Sequence, residues 1–231
     1  MKGLVYCIGG GEIANRETYE IDKHLVSMAN KENPHFLFIP TASHDDQSYM
    51  DAVRRMYEEL GCEVEGLFLY DDPTKTSIKK LIDWADIIYV GGGFTKELLL
   101  MWTCYGVASL LKKAAAKGTI LAGLSAGSSC WFEKAYCNNQ NHQPEFPEMY
   151  WLDALAFLPF ASTPHYEEEN RKGFDLDLKK LNIPGYAIDS GVALIFIDGE
   201  LIGNWKAWGW NDHHAYRITY KNDEEIKDEI A

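Results

Sequence analysis

The sequence predicts an α/β fold with a mainly parallel β-sheet that is covered by helices on both faces. Short apolar runs alternate with amphipathic stretches from the first residues onward. Runs that are apolar on both faces are typical of strands inside a parallel sheet, and the stretches between them have helical periodicity. The chain has 231 residues and no repeat or linker. We therefore expect residues 1–231 to form a single domain.

The order of the predicted elements places three glycine-rich loops where a ligand would bind. Predicted strands cover residues 4–8, 36–39, 64–69, 87–90 and 119–122, and predicted helices cover residues 19–29, 49–60, 78–85, 98–116 and 167–181. Glycine-rich loops follow three of the strands, at residues 9–11, 91–93 and 123–127. Ligands of parallel sheets bind beyond the carboxyl ends of the strands, so these loops are candidate site elements. From residue 186 to residue 220 the pattern indicates further short strands with turns between them.

Charge and composition exclude several classes of partner. The formal net charge is −13, which is unfavourable for binding nucleic acid or an anionic membrane surface. No apolar run approaches the roughly 20 residues that span a bilayer. The five cysteines show no C-x-x-C pairing, and the chain opens on a strand-like run without the features of a signal peptide. We expect a cytoplasmic protein with reduced thiols, and the oligomeric state stays unknown.

The strongest chemical motif is Gly123-Leu124-Ser125-Ala126-Gly127, which fits the G-x-S-x-G pattern. An apolar strand precedes it and a helix-compatible stretch follows, which is the context of a nucleophile elbow. In such an elbow a strained turn exposes the serine hydroxyl and directs the next backbone N–H at the reacting centre. The alternative is a tight turn in which Ser125 only caps the following helix.

A nucleophilic serine needs a base, and His165 is the preferred candidate among the seven histidines. It lies in the segment Pro164-His165-Tyr166, between an apolar run and a predicted helix. On spacing alone a structural role remains open for this histidine. His24 falls inside a predicted helix and His35 lies at the start of a predicted strand, so both are expected to be structural; the other histidines are His44, His142, His213 and His214.

Taken in order, these motifs resemble the aspartyl dipeptidase (peptidase E) family, whose relatives include cyanophycinase. The resemblance rests on Pro40-Thr41-Ala42, on the glycines at 91–93 with Phe94-Thr95, on the elbow at 123–127, and on Pro164-His165-Tyr166 with Glu169 and Arg171 beyond it. It covers residues 1 to about 205. It implies a flavodoxin-like three-layer sandwich related to class I glutamine amidotransferases.

The resemblance also implies the chemistry of the site. Ser125 would be the nucleophile of a serine peptidase and His165 its general base, with an oxyanion hole formed by the N–H groups of Gly93 and Ala126. The substrate would be a small, Asp-containing peptide, and no cofactor or metal is implied. Some family members prefer an N-terminal aspartate, and Arg171 is the candidate cation for its carboxylate. The alternative for Arg171 is an exposed side chain paired with Glu167 or Glu168.

Two departures from the family pattern affect these expectations. Phe94 stands where family members usually carry asparagine, which changes the wall of the substrate pocket. The family places its acidic triad member after the elbow, yet residues 135–143 contain no carboxylate. Asn138 or the more distant Glu145 are candidates for the third position, which could also be absent. Replacing the triad acid by its amide can cost about four orders of magnitude in rate.

Three other functions compete with the peptidase. An α/β-hydrolase esterase would use His213 or His214 as base. A dinucleotide-binding protein would explain G-x-G-x-x-A at residues 9–14, but the acidic residue expected after the second strand is missing. A catalytically weak or inactive binding protein would explain the missing acid, with Trp205, Trp208 and Trp210 as its contact surface. Asp212 with the two adjacent histidines is too local to hold a metal ion without other ligands.

Overall fold

The computed structural model of the protein describes residues 3–138 and 149–231. It contains two β-sheets with helices packed on their faces. The strands are β1 (Leu4–Ile8), β2 (His35–Ile39), β3 (Glu63–Gly66), β4 (Ile87–Val90), β5 (Ile120–Leu124), β6 (Phe132–Asn138), β7 (Met149–Asp153), β8 (Leu158–Pro164), β9 (Gly185–Ile188), β10 (Val192–Ile197), β11 (Glu200–Lys206), β12 (Ala215–Lys221) and β13 (Glu224–Glu229). The α-helices are α1 (Tyr19–Met28), α2 (Gln47–Glu59), α3 (Lys75–Trp84), α4 (Thr95–Tyr105), α5 (Val107–Ala116), α6 (Ala126–Ser129) and α7 (Phe174–Leu178).

The first sheet confirms the predicted α/β class. Its strand order is β11-β10-β1-β5-β4-β2-β3. The five neighbouring strands β1, β5, β4, β2 and β3 pair in parallel. Strands β10 and β11 extend it in antiparallel fashion beyond β1. Apolar side chains of β1, β2, β4 and β5 are buried on both faces, which is the reason that these strands read as unbroken apolar runs. The carboxyl ends of β1, β4 and β5 therefore lie side by side.

A second sheet was not predicted from the sequence. Its order is β13-β12-β9-β8-β6-β7, with parallel pairing of β6, β8 and β9 and antiparallel strands at its margins. The two sheets pack through one aromatic cluster, in which the ring of Phe196 from the first sheet contacts Phe132, Phe160 and Tyr186 from the second. Strand β9 is buried throughout and β13 is exposed, whereas β6, β8 and β12 mix buried and partly exposed residues, so their sequences lack an unbroken apolar run.

Two of the predicted helices are each interrupted in the structure. The helix predicted over residues 98–116 is two helices, because Gly106 adopts a left-handed conformation (φ 69°) and ends α4. The helix predicted over residues 167–181 is a 3₁₀ turn at Glu169–Arg171 followed by the short helix α7. Within the two described ranges, no helix is long and apolar enough to cross a membrane.

Candidate active site

Ser125 occupies a strained turn between β5 and α6. Its backbone has φ 55° and ψ −113°, a conformation that is costly for a residue with a side chain. The turn is fixed to the neighbouring strand, since the Ser125 N–H donates to the carbonyl of Ile8 at 2.9 Å. The flanking glycines permit the turn: a Cβ at Gly123 would lie 2.0 Å from the carbonyl oxygen of Gly127. One at Gly127 would lie 2.1 Å from the carbonyl oxygen of Val90.

The imidazole of His165 hydrogen-bonds the hydroxyl of Ser125. Nε2 of His165 and Oγ of Ser125 are 2.9 Å apart. His165 directly follows β8 in the second sheet and has a left-handed backbone (φ 52°), which turns its ring toward the first sheet. Its N–H donates to the carbonyl of Gly9 at 3.2 Å. The structure thus brings together the serine and the histidine that the sequence motifs had paired.

The other ring nitrogen of His165 contacts Ser190. Nδ1 of His165 lies 3.0 Å from Oγ of Ser190, and that hydroxyl donates to Oε1 of Glu167 at 2.5 Å. Oε2 of Glu167 accepts the Ser190 N–H at 3.0 Å. A hydroxyl has one hydrogen, so Ser190 must accept from Nδ1–H when it donates to Glu167. This chain of hydrogen bonds leaves Nε2 of His165 bare, as the acceptor of the Ser125 hydroxyl.

The third position of the site therefore differs from the candidates that the sequence offered. The Nδ1 partner of His165 is Ser190 and not Asn138, which lies on the wall of the adjacent cavity. Glu145 lies outside the described residues. Sequence reasoning missed Ser190 and Glu167 because the first stands in an apparent turn and the second appeared to begin a helix. The spacing His165-Tyr166-Glu167, with a carboxylate two residues after the base, was the available signal.

Gly10 makes room for the His165 ring. A Cβ on this residue would lie 2.4 Å from Cε1 of His165 and 2.5 Å from Oγ of Ser190. The loop at residues 9–11 leads into a 3₁₀ turn (Ile13–Asn15) rather than directly into a long helix. The glycine that suggested a dinucleotide motif thus has a different role, which is the close approach of an imidazole to the end of β1.

Gly93 lies two residues before α4, and Ala126 directly follows Ser125 at the start of α6. Gly93 has φ 137°, and a Cβ there would lie 2.1 Å from the carbonyl oxygen of Ala42, so only glycine fits. Both residues line the same cavity as Ser125. Within the described parts of the chain, neither N–H donates to a carbonyl oxygen.

Arg171 is buried at the base of this cavity rather than exposed. The cavity has a volume of about 340 Å³ and its wall also includes Phe94. Arg171 is 5% exposed; its Nη1 donates to the carbonyl of Tyr136 at 2.8 Å. Its Nε has no hydrogen-bond partner in the described chain, and the nearest carboxylate is that of Glu168 at 3.8 Å. Burial lowers the pKa of Arg171, although the neighbouring Glu168 opposes this effect. A buried guanidinium with an unpaired N–H is suited to a carboxylate ligand.

The surroundings of His165 favour its neutral form. Burial lowers its pKa, the positive charge of Arg171 lowers it further, and the carboxylates of Glu168 and Glu167 partly oppose both effects. A histidine that is neutral at neutral pH can accept a proton from a neighbouring hydroxyl. A second cavity of about 450 Å³ opens on the other side of the same Ser125–His165 pair.

Two other histidines, His214 and His24, contact other side chains, and His142 lies outside the described residues. His214 lies 3.0 Å from Oε1 of Glu229 through its Nδ1, and His24 stacks on Trp205. The tryptophans proposed as one contact surface have separate surroundings. Trp210 donates to the carbonyl of Glu17 at 3.1 Å, whereas Trp208 is 90% exposed.

The fold is class I glutamine amidotransferase-like, and the relatives of the chain define it as a serine peptidase. The model of peptidase family S51 matches residues 5–203. The chain belongs to this family, which confirms the resemblance found in the sequence. It is 32% identical over 204 residues to the Bacillus subtilis (strain 168) protein named "Uncharacterized peptidase YgaJ", with 87% of this chain and 86% of the relative covered. It is 27% identical over 201 residues to peptidase E of Shewanella denitrificans, with 81% of each chain covered.

A solved structure confirms the fold. The crystal structure of a peptidase from an acI-B1 Actinobacterium superposes with a TM-score of 0.72 at 19% sequence identity. The superposition covers 100% of this chain and 98% of the other. At this level of identity the likeness defines the architecture and leaves the substrate open.

Proposed function

We propose that the protein hydrolyses small peptides that contain aspartate, through an acyl-enzyme on Ser125 with His165 as general base. The observation that carries this proposal is the 2.9 Å hydrogen bond from Ser125 to a bare Nε2, at the edge of a cavity that contains a buried arginine. The cavity volume of about 340 Å³ suits a single amino-acid residue or a short peptide.

In the proposed mechanism His165 takes the proton of Ser125 as its Oγ attacks the scissile carbonyl carbon. The new C–O bond places negative charge on the carbonyl oxygen, to which the N–H groups of Gly93 and Ala126 would donate hydrogen bonds as an oxyanion hole. His165 then gives its proton to the leaving amine as the C–N bond breaks. Water, deprotonated by the same imidazole, releases the acid and restores Ser125.

Ser190 and Glu167 would replace the missing acid of the family pattern in this mechanism. Glu167 holds the hydrogen of Ser190, so the Ser190 oxygen is directed at Nδ1–H and fixes the imidazole tautomer. The carboxylate also stabilises the imidazolium that forms during attack, because Oε1 lies 4.0 Å from Nδ1. The absent carboxylate was the reason to consider an inactive binding protein, and Glu167 removes that reason.

The specificity for aspartate rests on Arg171. This residue lines the cavity that also presents Gly93 and Ala126, so a substrate residue whose carbonyl reaches those amides can direct its side chain toward the guanidinium. The second cavity, beyond Ser125, would take the part of the peptide that leaves.

The decisive experiment combines active-site labelling with a dipeptide panel. Wild type is expected to react with a fluorophosphonate at Ser125 and to hydrolyse Asp-X faster than Asn-X peptides. Ser125→Ala and His165→Ala should abolish labelling and hydrolysis, whereas His214→Ala, the matched histidine control, should retain both. Loss of labelling in His214→Ala alone would support the esterase alternative. Absence of labelling and of turnover in wild type would refute the enzyme mechanism.

A further inference from the structure

A second cluster of ionisable side chains shares Glu167 with the proposed mechanism, and its other two members take no part in that mechanism. It consists of Glu167, Asp189 and His213, each of which offers one ligand atom within 4.8 Å of the others. The three residues come from distant parts of the sequence: the turn after β8, the end of β9 and the loop before β12. From the sequence alone, His213 had only Asp212 and His214 as neighbours of this kind.

Asp189 is the buried centre of the cluster. It is 5% exposed, and its Oδ2 accepts the His214 N–H at 2.7 Å. Its Oδ1 is buried and has no hydrogen-bond partner within the described residues. A buried carboxylate oxygen without a donor is costly, since the group has lost water and gained no compensating contact.

His213 contributes the second unpartnered atom. Its Nδ1 is buried and also lacks a partner in the described chain. The backbone N–H of His213 donates to the carbonyl of Trp210 at 3.1 Å. The imidazole makes an edge-on contact with the Trp210 indole, with ring centroids 4.5 Å apart. The nearby cation Lys172 is directed at the ring of Tyr166, 4.0 Å from its centroid. Two carboxylates and an imidazole therefore lie together without a cation between them.

We propose that Glu167, Asp189 and His213 form a binding site for a divalent transition-metal ion of the zinc class. Two carboxylate oxygens and one imidazole nitrogen are ligands that such ions accept, at distances of about 2.0–2.2 Å. Bonds of that length in a tetrahedral site place neighbouring ligand atoms about 3.4 Å apart, so the three side chains, whose ligand atoms lie within 4.8 Å of one another, would move together to bind the ion. A fourth position is left for water.

The proposed ion would slow the reaction of Ser125 through its effect on Glu167. This carboxylate accepts both the hydroxyl and the N–H of Ser190, whose oxygen contacts His165. A cation on Glu167 withdraws electron density from the oxygen that accepts the Ser190 hydroxyl. The His165 imidazolium is then less stabilised, and attack by Ser125 slows.

Zinc chloride titrated calorimetrically into the full chain under a reducing agent tests the site without any substrate. We expect one ion per chain in wild type and an affinity reduced at least 10-fold in both His213→Gln and Asp189→Asn. His214→Gln is the matched control, because its side chain pairs with Glu229 outside the cluster, and its affinity should stay within twofold of wild type. No binding by wild type, or unchanged binding by His213→Gln, overturns the site. His213→Gln decides the question if Asp189→Asn fails to fold.

The coupling to Ser125 has its own readout. Zinc is expected to slow fluorophosphonate labelling of wild type and to leave the labelling rate of His213→Gln unchanged. Slowing of equal size in His213→Gln would place the inhibitory ion on the serine and histidine themselves and overturn the coupling. The calorimetric result is independent of whether the protein is a peptidase, so failure of the metal site and failure of the proposed function can be distinguished.

Discussion

The α-carbon of Gly10 lies directly against the imidazole of His165, with no space for a β-carbon between them. The first glycine-rich loop thus belongs to the Ser125 site, although its sequence is typical of nucleotide binding. It sets how far the ring can extend from the second sheet toward the serine.

Gly10→Ala should therefore impair the site without unfolding the protein. The added methyl group forces the His165 ring or the Ser190 hydroxyl to move, which breaks the hydrogen bond to Ser125. A misplacement of about 1 Å can cost roughly 10²-fold in rate. We expect a loss of that order in the rate of fluorophosphonate labelling. Gly203→Ala, where the methyl group meets no atom within 4 Å, is the control and should label normally. Equal rates in the two variants would contradict the steric role of Gly10.

Ser190→Ala and Glu167→Gln should lower kcat and leave KM nearly unchanged. Both changes remove the group that fixes the His165 tautomer, and neither residue lines the cavity that contains Arg171. A reduction of roughly 10² or more in kcat is expected, since the comparable loss of a triad acid costs about 10⁴. Steady-state kinetics on the best dipeptide is the measurement. Glu169→Gln, two residues beyond Glu167, is the control. A larger loss of kcat in that variant would argue against a role of the Ser190–Glu167 pair in orienting His165.

Arg171→Gln should remove the preference for aspartate. A hydrogen bond to a charged group contributes about 1.5–3 kcal/mol, which corresponds to roughly 10- to 150-fold in kcat/KM. The loss is expected for Asp-X peptides and not for Asn-X peptides. Lys96→Gln removes a more exposed cation from the same cavity wall and should have a smaller effect, because water screens its charge. An undiminished Asp preference in Arg171→Gln would assign the specificity to another residue.

Asp22 makes the stability of the fold depend on pH. Its carboxylate is fully buried and accepts hydrogen bonds from Thr18 and Tyr57 at 2.7 and 2.6 Å. Burial raises its pKa to about 6, above its value of about 4 in the unfolded chain. The folded state therefore binds the proton more tightly, and the stabilisation this provides is lost as the pH rises from about 4 through about 6.

Asp22→Asn removes this titration. Relative to wild type, the variant should gain free energy of unfolding between pH 4 and pH 7, by about 1.4 kcal/mol for each unit of pKa shift. Urea unfolding at the two pH values measures the difference. Asp51→Asn, at an exposed position of α2, should show no such change. Parallel pH dependences of wild type and Asp22→Asn would contradict the raised pKa.

The first sheet and the serine turn could be predicted because their signals are local in the sequence. An apolar strand followed by G-x-S-x-G specifies the turn at Ser125 within ten residues. The second sheet has strands that mix buried and partly exposed residues, such as β6 and β12, and their pairing depends on contacts between distant segments. The helix expected over residues 167–181 was wrong because Gly173 separates its two halves.

The contact of Ser190 and Glu167 with His165 could not be predicted, because it too depends on segments that are distant in the sequence. Ser190 follows β9 and Glu167 follows β8, and these parallel neighbours bring together residues that are 23 positions apart. Neither residue type is diagnostic on its own. Arg171 could be identified as a candidate from the resemblance, but its burial and its unpaired Nε are properties of the folded chain.

The reacting groups of the site come from two different sheets, with Ser125 at the end of β5 and His165 at the end of β8. The distance between their side chains therefore depends on how the two sheets pack, to which the aromatic contacts of Phe196 and the hydrogen bond from the His165 N–H to Gly9 both contribute. Any loosening of that interface separates base from nucleophile while every strand is still paired with its neighbours. The rate of fluorophosphonate labelling at Ser125 should therefore depend on the spacing between the sheets. In mild denaturant we expect this labelling to disappear before the circular dichroism signal of the helices and strands.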